Sequence, residues 1–494
     1  MFKNKSFYII VLLVAILLMA LSIGNAAVIT VNSSAQSPGG GGDCTLGESI
    51  QAANTDSAVD GCAAGSGADI ISMPGGTYTL SAADNTTQGD NGLPDITSDI
   101  TINGSVSGPS TLITRGVGAP LFRIFHIAPT GTLSLNNLTI DNGSASTGFL
   151  GGGIHNNQGT LSVTICSIIN NTSDSGGGIS NAMGAATITN SFMAGNHASS
   201  ATGGGIYNAG GTLSIMNTTI YENTAFTDGG GIYNSARAVA TITESSLSNN
   251  SAGDAGGGIY NTLESTFNIH RCALLDNQAQ GAGGGALLNG QNGAQPTTIN
   301  IDNSTISGNT ANTSGGGFVN EGTFNAVNVT ITNNTSTNGA GGGLGAAGIV
   351  NIRNSIIYGN TNSTAPDCSG SITAFDYSLI GSISGCTLPF GTGNLINSNP
   401  LLGPLQNNGG PTLTHALPAN SPAVNAGNNV GVALYDQRGA GYMRISNGIV
   451  DMGAYELQSA ASIPTITEWG MIIFMVIAGI GSVYYLRRRR RTES

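Results

Sequence analysis

The sequence predicts an all-β fold, a right-handed parallel β-helix, and three observations carry that prediction. A glycine-rich phrase, TGGGIYNAGGTLSIMNTTIYENTA at 202–225, returns through the middle of the 494-residue chain. Its glycine triplets begin at Gly151, Gly176, Gly203, Gly229, Gly256, Gly283, Gly315 and Gly341, at spacings of 25, 27, 26, 27, 27, 32 and 26 residues. A complete asparagine row keeps the same beat: Asn171, Asn196, Asn223, Asn250, Asn277, Asn309, Asn334 and Asn360, with apolar residues ten, eight and three places before each. Units this short bury a face only by stacking on their neighbours. Strands paired coil on coil rise ~4.8 Å per coil, and parallel crossovers wind to the right.

Composition narrows the function. Only 8% of residues are charged, and the 76 glycines lack the period of collagen. Between Lys5 and the terminal arginines stand seven arginines against 25 acidic residues, a body charge of about −18. With no lysine after Lys5, the body is a poor partner for nucleic acid.

The chain opens with MFKNKSFYIIVLLVAILLMALSIGNA, which reads as a signal peptide over 1–26. Lys3 and Lys5 lead, Phe7 to Leu21 is apolar, and Gly24 and Ala26 suit cleavage after Ala26. An uncleaved membrane anchor is the alternative. Next, DCTLGESIQAANTD at 43–56 resembles the CSLREA-type N-terminal module through Cys44, Leu46, Glu48, Ile50, Ala52, Ala53 and Asn54, departing at Thr45, Gly47 and Ser49. A short helix over 47–53 is expected to close the open end of the stack, whose strand edges are otherwise unpaired. Residues 27–100 are expected to form this cap and the first coil, and 101–365 the coils of the parallel β-helix.

Within each unit the residues at −10 and −8 from the asparagine share one strand face. Position −6 is often asparagine, which tolerates a left-handed turn and flips the chain so that −5 and −3 both face inward. Each unit thus holds three short strands. The apolar residue after the triplet, Ile206 in the quoted unit and Ala286 after the triplet at Gly283, begins the first. Stacked asparagines become amide ladders, and the glycines free the wide turn, so the repeat has a sufficient architectural explanation. GGGI followed by I-x-x-N over 151–360 resembles the repeats of chlamydial polymorphic outer-membrane proteins and other surface β-helices. Those proteins end in a membrane barrel, for which the last 34 residues here are too few, so self-transport is not implied.

Residues 366–460 are expected to hold the last coils and a C-terminal module. NPLLGPLQNNGGPTLTHALPANSPAVNAG at 399–427, DQRG at 436–439 and DMGAYE at 451–456 resemble the choice-of-anchor Q module of bacterial surface proteins. That resemblance implies a surface protein and assigns no reaction. Residues 461–494 follow as a tail. Ile463, Pro464, Thr465, Glu468, Trp469 and Gly470 resemble the IPTL-type sorting motif of Gram-negative bacteria, departing at Ile466 and Thr467. Met471 to Leu486 is an apolar run of 16 residues, just under transmembrane length. Arg487 to Arg491 behind it would stay cytoplasmic. The resemblance implies delivery to the envelope, with the membrane and its sorting machinery as partners; a plain C-terminal anchor is the alternative.

Six cysteines in an exported chain invite pairing. Cys44 and Cys62 fall together in the cap, Cys368 and Cys386 after the last repeat, and two disulfides are expected. Cys166 and Cys272 lie four coils apart, ~19 Å at strand spacing, beyond disulfide reach, and should be buried thiols.

For chemistry the nearest candidates are Asp174, Asp228 and Asp254, each close before a glycine triplet. Asp228 and Asp254 fall in adjacent coils and could share a loose cation. The solenoid resembles that of pectate lyases, and such folds host polysaccharide lyases and hydrolases, but fold does not decide function. A lyase needs clustered carboxylates and a basic residue, and no arginine stacks beside these. Arg271 instead falls one coil after Glu244, as an ion pair. No DD pair, CxxC or HxxxH occurs. The expectation is an envelope-anchored adhesin or structural stalk with no catalytic residue, cofactor or resident metal, meeting glycans or surface proteins. The alternative is a lyase or glycoside hydrolase acting on extracellular glycans.

Overall fold

The computed structural model describes residues 26–36, 41–290 and 296–458. Ala26, exposed, is the first of these; the rest of the expected signal peptide, the sorting motif Ile463–Gly470 and the apolar run Met471–Leu486 lie outside the described residues. Among the described residues no helix is long and apolar enough to cross a membrane.

One coil shows how the sequence is used. Gly203 has φ +69°, and a Cβ there would fall 2.5 Å from the Ile206 carbonyl oxygen, so only glycine opens the turn. Strands Ile206–Ala209, Thr212–Met216, Thr219–Tyr221 and Thr224–Ala225 follow. Each pairs in parallel with its equivalent one coil on: Ile206 with Ile232, Leu213 with Ala240, Ile220 with Leu247 and Ala225 with Ala252. The coils wind as a right-handed parallel β-helix. Stacking makes four parallel sheets among the described residues. In the order the chain meets them within a coil, the first has 11 strands, the second and third 13 each, and the fourth 7.

The interior follows the sequence rows. All twenty-four apolar residues at −10, −8 and −3 are at most 3% exposed. The −6 residue is left-handed in all eight units, with φ from +44° at Asn303 to +56° at Asn328. Ile165, Glu244 and Arg271 adopt it too, so the turn is imposed by the stack and not by asparagine alone. Ile165 is strained there and is held by its N–H on the Thr189 carbonyl at 3.1 Å. The asparagine rows are amide ladders. Asn223 Oδ1 accepts from Asn196 N at 3.0 Å and Nδ2 at 2.9 Å, while its own Nδ2 donates to Asn250 Oδ1 and the Met193 carbonyl. This ladder ends where Asn360 Nδ2 meets Asp367 Oδ1 at 2.9 Å.

Two expectations are corrected. Units of the repeat carry four strands, not three. The fourth is a two-residue pairing after the asparagine, as at Thr224–Ala225, whose Ala225 turns inward and is buried; a pairing this short leaves no periodic signal. The triplet at Gly283 is also misregistered by one. Gly284 takes the left-handed turn position at φ +70°, Ala286 stands where other coils have their third glycine, and Leu287 pairs with Ile259 as the inward residue.

The N-terminal end is capped. Helix α1, Leu46–Thr55, starts at a capping box in which Thr45 and Glu48 exchange side-chain and backbone bonds. Its Leu46, Ile50, Ala52 and Ala53 join the core formed by Ile29, Ile71 and Ile100. Disulfides Cys44–Cys62 and Cys368–Cys386 are formed, with Cα atoms 4.6 and 5.5 Å apart. Cys166 and Cys272 are free and buried, and burial pushes their thiols up to about 11 and about 12. After Leu395–Ile396 the chain leaves the stack and folds back on the outer face of the third sheet. There Met452, Ala423 and Leu417 cluster with Ile356 and Leu379. Thr305, Ser307 and Thr330 are buried under this module, whereas Phe192, on the same sheet, is 40% exposed.

Candidate functional site

The loop carboxylates tie neighbouring coils together. Asp174 Oδ2 accepts from Gly148 N at 2.6 Å, Asp228 Oδ1 from Ala255 N at 3.2 Å, and Asp254 Oδ1 from Ala282 N at 2.7 Å. Each bond crosses one coil boundary. Burial, reinforced by the charge of Asp254, pushes the Asp228 carboxyl up to about 6. Among the described residues no group of three or more His, Cys, Asp or Glu side chains is arranged to hold a metal ion. Arg271 Nε and Nη2 bond Glu244 Oε1 at 3.0 and 2.9 Å, the ion pair expected from the repeat, worth under ~1 kcal/mol at a surface.

Beside these carboxylates runs the outward row of the first sheet. Ile206 and Asn208 face the core, so the residue between them faces out. Register carries this row through His126, His155, Ser180, Tyr207, Tyr233, Tyr260, Leu288 and Val319. Tyr233 stacks between Tyr207 and Tyr260, with centroids 5.6 and 5.4 Å away and planes tilted by 12° and 8°. Burial and then the Asp228 charge push the Tyr260 hydroxyl up to about 12.

The upstream end of the row is a polar cluster that the sequence reading passed over. His126 Nδ1 meets Asp95 Oδ1 at 3.0 Å, and the His126 and His155 rings stack at 5.5 Å. Burial, the Arg123 charge and His126 push the His155 imidazole down to about 3, so it is neutral. Arg123 is fully buried; its Nη2 donates to the Gln88 carbonyl at 3.0 Å, and its guanidinium lies 5.8 Å from the Phe149 ring. Arg123 Nε and Nη1, His126 Nε2, His155 Nδ1, Ser180 Oγ and Asn91 Oδ1 have no protein partner. The signal open to sequence reasoning was spacing: the two histidines are 29 residues apart, one long coil, and so become neighbours.

The C-terminal motif residues form a third arrangement, within the module. Arg438 is held between the Tyr442 and Tyr455 rings at 4.0 and 3.8 Å. Its Nη2 donates to Asp436 Oδ2 and the Glu456 carbonyl, both at 2.6 Å. Arg444 donates to the carbonyls of Ala454, Asp451 and Gly453. Asp451 accepts Asn425 N and Leu457 N, both at 2.7 Å. Asp436, Arg444, Asp451 and Glu456 are fully buried, and burial, against the pull of Arg444, raises the Glu456 carboxyl to about 7. DQRG and DMGAYE are thus two halves of one buried network.

No family model matches the chain, and no curated protein does. Among solved structures it is similar to one titled "Crystal structure of pectate lyase Pel9A", at 15% identity and a TM-score of 0.45, over 89% of this chain and 98% of that one.

Proposed function

We propose that the chain is an exported, envelope-anchored surface β-helix, an adhesin or stalk that offers the outer faces of its stack to extracellular partners. The observation behind this reading is the C-terminal module. It is locked by the Asp436–Arg438 and Arg444–Asp451–Glu456 network and stitched to the stack by Thr305 Oγ1 on Gln437 Oε1 at 2.6 Å, Ala454 N on Thr330 Oγ1 at 3.0 Å and Gly453 N on the Asn354 carbonyl at 2.7 Å. Tension on a tail that follows Leu457 would be shared among several coils rather than peel the last one. Two disulfides suit an oxidising compartment. The test is surface protease shaving and fractionation of a Gram-negative host expressing the full chain, compared with a host expressing the full chain with Ile463, Pro464 and Glu468 each changed to Ala. The expected result is a surface-exposed chain that loses its envelope retention when the motif is changed. A chain that stays cytoplasmic with its cysteines reduced would sink the reading.

A second reading, cleavage of a bound glycan, is favoured by one observation, the Asp228 carboxyl near 6 beside Asp254 and the tyrosine row. It requires release of new chain ends from acidic or neutral polysaccharides, with calcium present, by the full chain. That release would be abolished in Asp228→Asn and Asp254→Asn.

A further inference from the structure

We infer that the outer face of the second sheet binds a neutral polysaccharide through its hydroxyls, along the amide ladder Asn268–Asn300–Asn325–Asn351 and into the cavity at its end. The inference rests on the surface-protein reading and supplies its ligand class. In these coils Ile299 and Ile301 face the core, so Thr298, Asn300 and Asp302 face out. Asn300 Nδ2 donates to Asn268 Oδ1 at 2.9 Å, Asn325 to Asn300 at 2.9 Å, and Asn351 to Asn325 at 2.8 Å.

This ladder differs from the two inside the stack, one through Asn223 and the other through Asn181, Asn208 and Asn234. There each amide spends its second N–H on a backbone carbonyl, as Asn223 does on Met193. On the outer face Asn300 and Asn325 each spend one N–H and one lone pair on the neighbouring amides, and no other protein group takes the second N–H or lone pair of these half-buried side chains. The fold does not need amides here, since the same row carries Thr187, Ser214 and Thr241 in earlier coils. The ladder nevertheless fixes the orientation of each amide before any ligand arrives, which lowers the ordering cost of binding.

The recognition chemistry is that of a hydroxyl-rich chain. One free donor and one free acceptor recur at Asn300 and Asn325, on successive coils ~4.8 Å apart, a spacing close to one sugar unit of an extended polymer. The hydroxyls of Thr266, Thr298 and Thr323 flank the row on one side. On the other, His270 Nδ1 is occupied by Asp302 Oδ2 at 2.5 Å. The row ends in a cavity of about 290 Å³ lined by Asn325, Val327, Asn351, Arg353, Ala374 and Asp376. Arg353 there donates to the Val430 carbonyl, and Asp376 Oδ1 accepts Thr392 N at 2.9 Å. Charges on this face are few and mixed in sign, and the acidic body repels polyanions, so the fit is to a neutral glycan.

The test immobilises the full chain in detergent and measures retention of a soluble β-glucan, a galactomannan and a dextran, with pectate as the acidic comparison. At least one neutral polysaccharide should be retained and pectate should not. The pair Asn300→Thr and Asn325→Thr, which restores the residue type found at Thr241, should weaken retention at least tenfold with an unchanged melting temperature; Asn217→Ala, elsewhere on the stack, should leave it unaltered. Retention that survives the threonine pair would overturn the site. Retention of no neutral polysaccharide, or of pectate alone, would overturn the ligand class, and surface fractionation would still decide separately whether the chain is a surface protein.

Discussion

Asn223 and Asn217 are six residues apart and have opposite surroundings. Asn223 is fully buried with its donors and acceptors all used; Asn217 makes one exposed amide contact with Asn190. Truncating a buried partner leaves its neighbours unsatisfied, at ~1–3 kcal/mol for each group stranded. Asn223→Ala should therefore lower stability in chemical unfolding by roughly 2–4 kcal/mol, and Asn217→Ala by only ~1 kcal/mol, chiefly the cost of holding alanine in the left-handed turn at φ +48°. Asp228 makes the residue-scale prediction on pH. Its folded carboxyl titrates above its unfolded value, so the folded chain holds the extra proton and stability falls as pH rises from about 4 through about 6. Carbon-detected NMR should place this titration near 6. Because Asp254 is the second cause after burial, Asp254→Asn should lower it without returning it to the ordinary carboxylate range, and Asp228→Asn should flatten that part of the stability profile. The aspartates were legible as a pair in adjacent coils. Their use as acceptors for the next coil's amides was not, because a loop's backbone direction is set by the coil beneath it.

At the scale of the element, the turn at −6 and the C-terminal module behave differently towards the sequence. The turn could be located by counting back from asparagine, yet Ile165, Glu244 and Arg271 show that its left-handed backbone is enforced by pairing on both sides. Helix α1 could be placed within two residues at each end, since its capping box is local chemistry. The module's motifs could be recognised, but nothing local says that Arg438 lies between two tyrosines, or that it reaches a carbonyl 18 residues later in the chain, at Glu456. Removing one member of a buried ion pair leaves a charge uncompensated, at ~3–5 kcal/mol. Arg438→Met should therefore release the module from the stack. Hydrogen exchange over 400–457 should rise to near-unprotected rates while the coils at 203–275 stay protected. Unchanged protection in the module would show that its docking is carried by Ile356, Leu379 and Met452 instead.

For the whole molecule, a solenoid's stability is close to a sum of nearest-neighbour contacts, so damage should stay near where it is made. The Cys44–Cys62 bridge closes an 18-residue separation, for which loop entropy gives ~3 kcal/mol. Replacing both cysteines by serine should raise hydrogen exchange in helix α1 and the strands at 69–72 and 99–103, and leave the asparagine ladder from Asn223 onward at its original protection. Uniform loss along the stack would mean that the coils unfold as one unit, contrary to this expectation.

The sequence by itself determined the β-helix, its inward rows, the asparagine ladder through Asn223, the capping helix and the two disulfides. Each of these repeats, or is written within a few residues, and stacking maps equal positions onto equal places. Tertiary structure alone decided the fourth strand, the one-residue shift at Gly284, the polar cluster around Arg123, the module's seat on the third sheet and the amides left open at Asn300 and Asn325. Those depend on which face a coil presents and on what else in the chain comes to cover it, and pairing between distant segments leaves no period in the sequence to read.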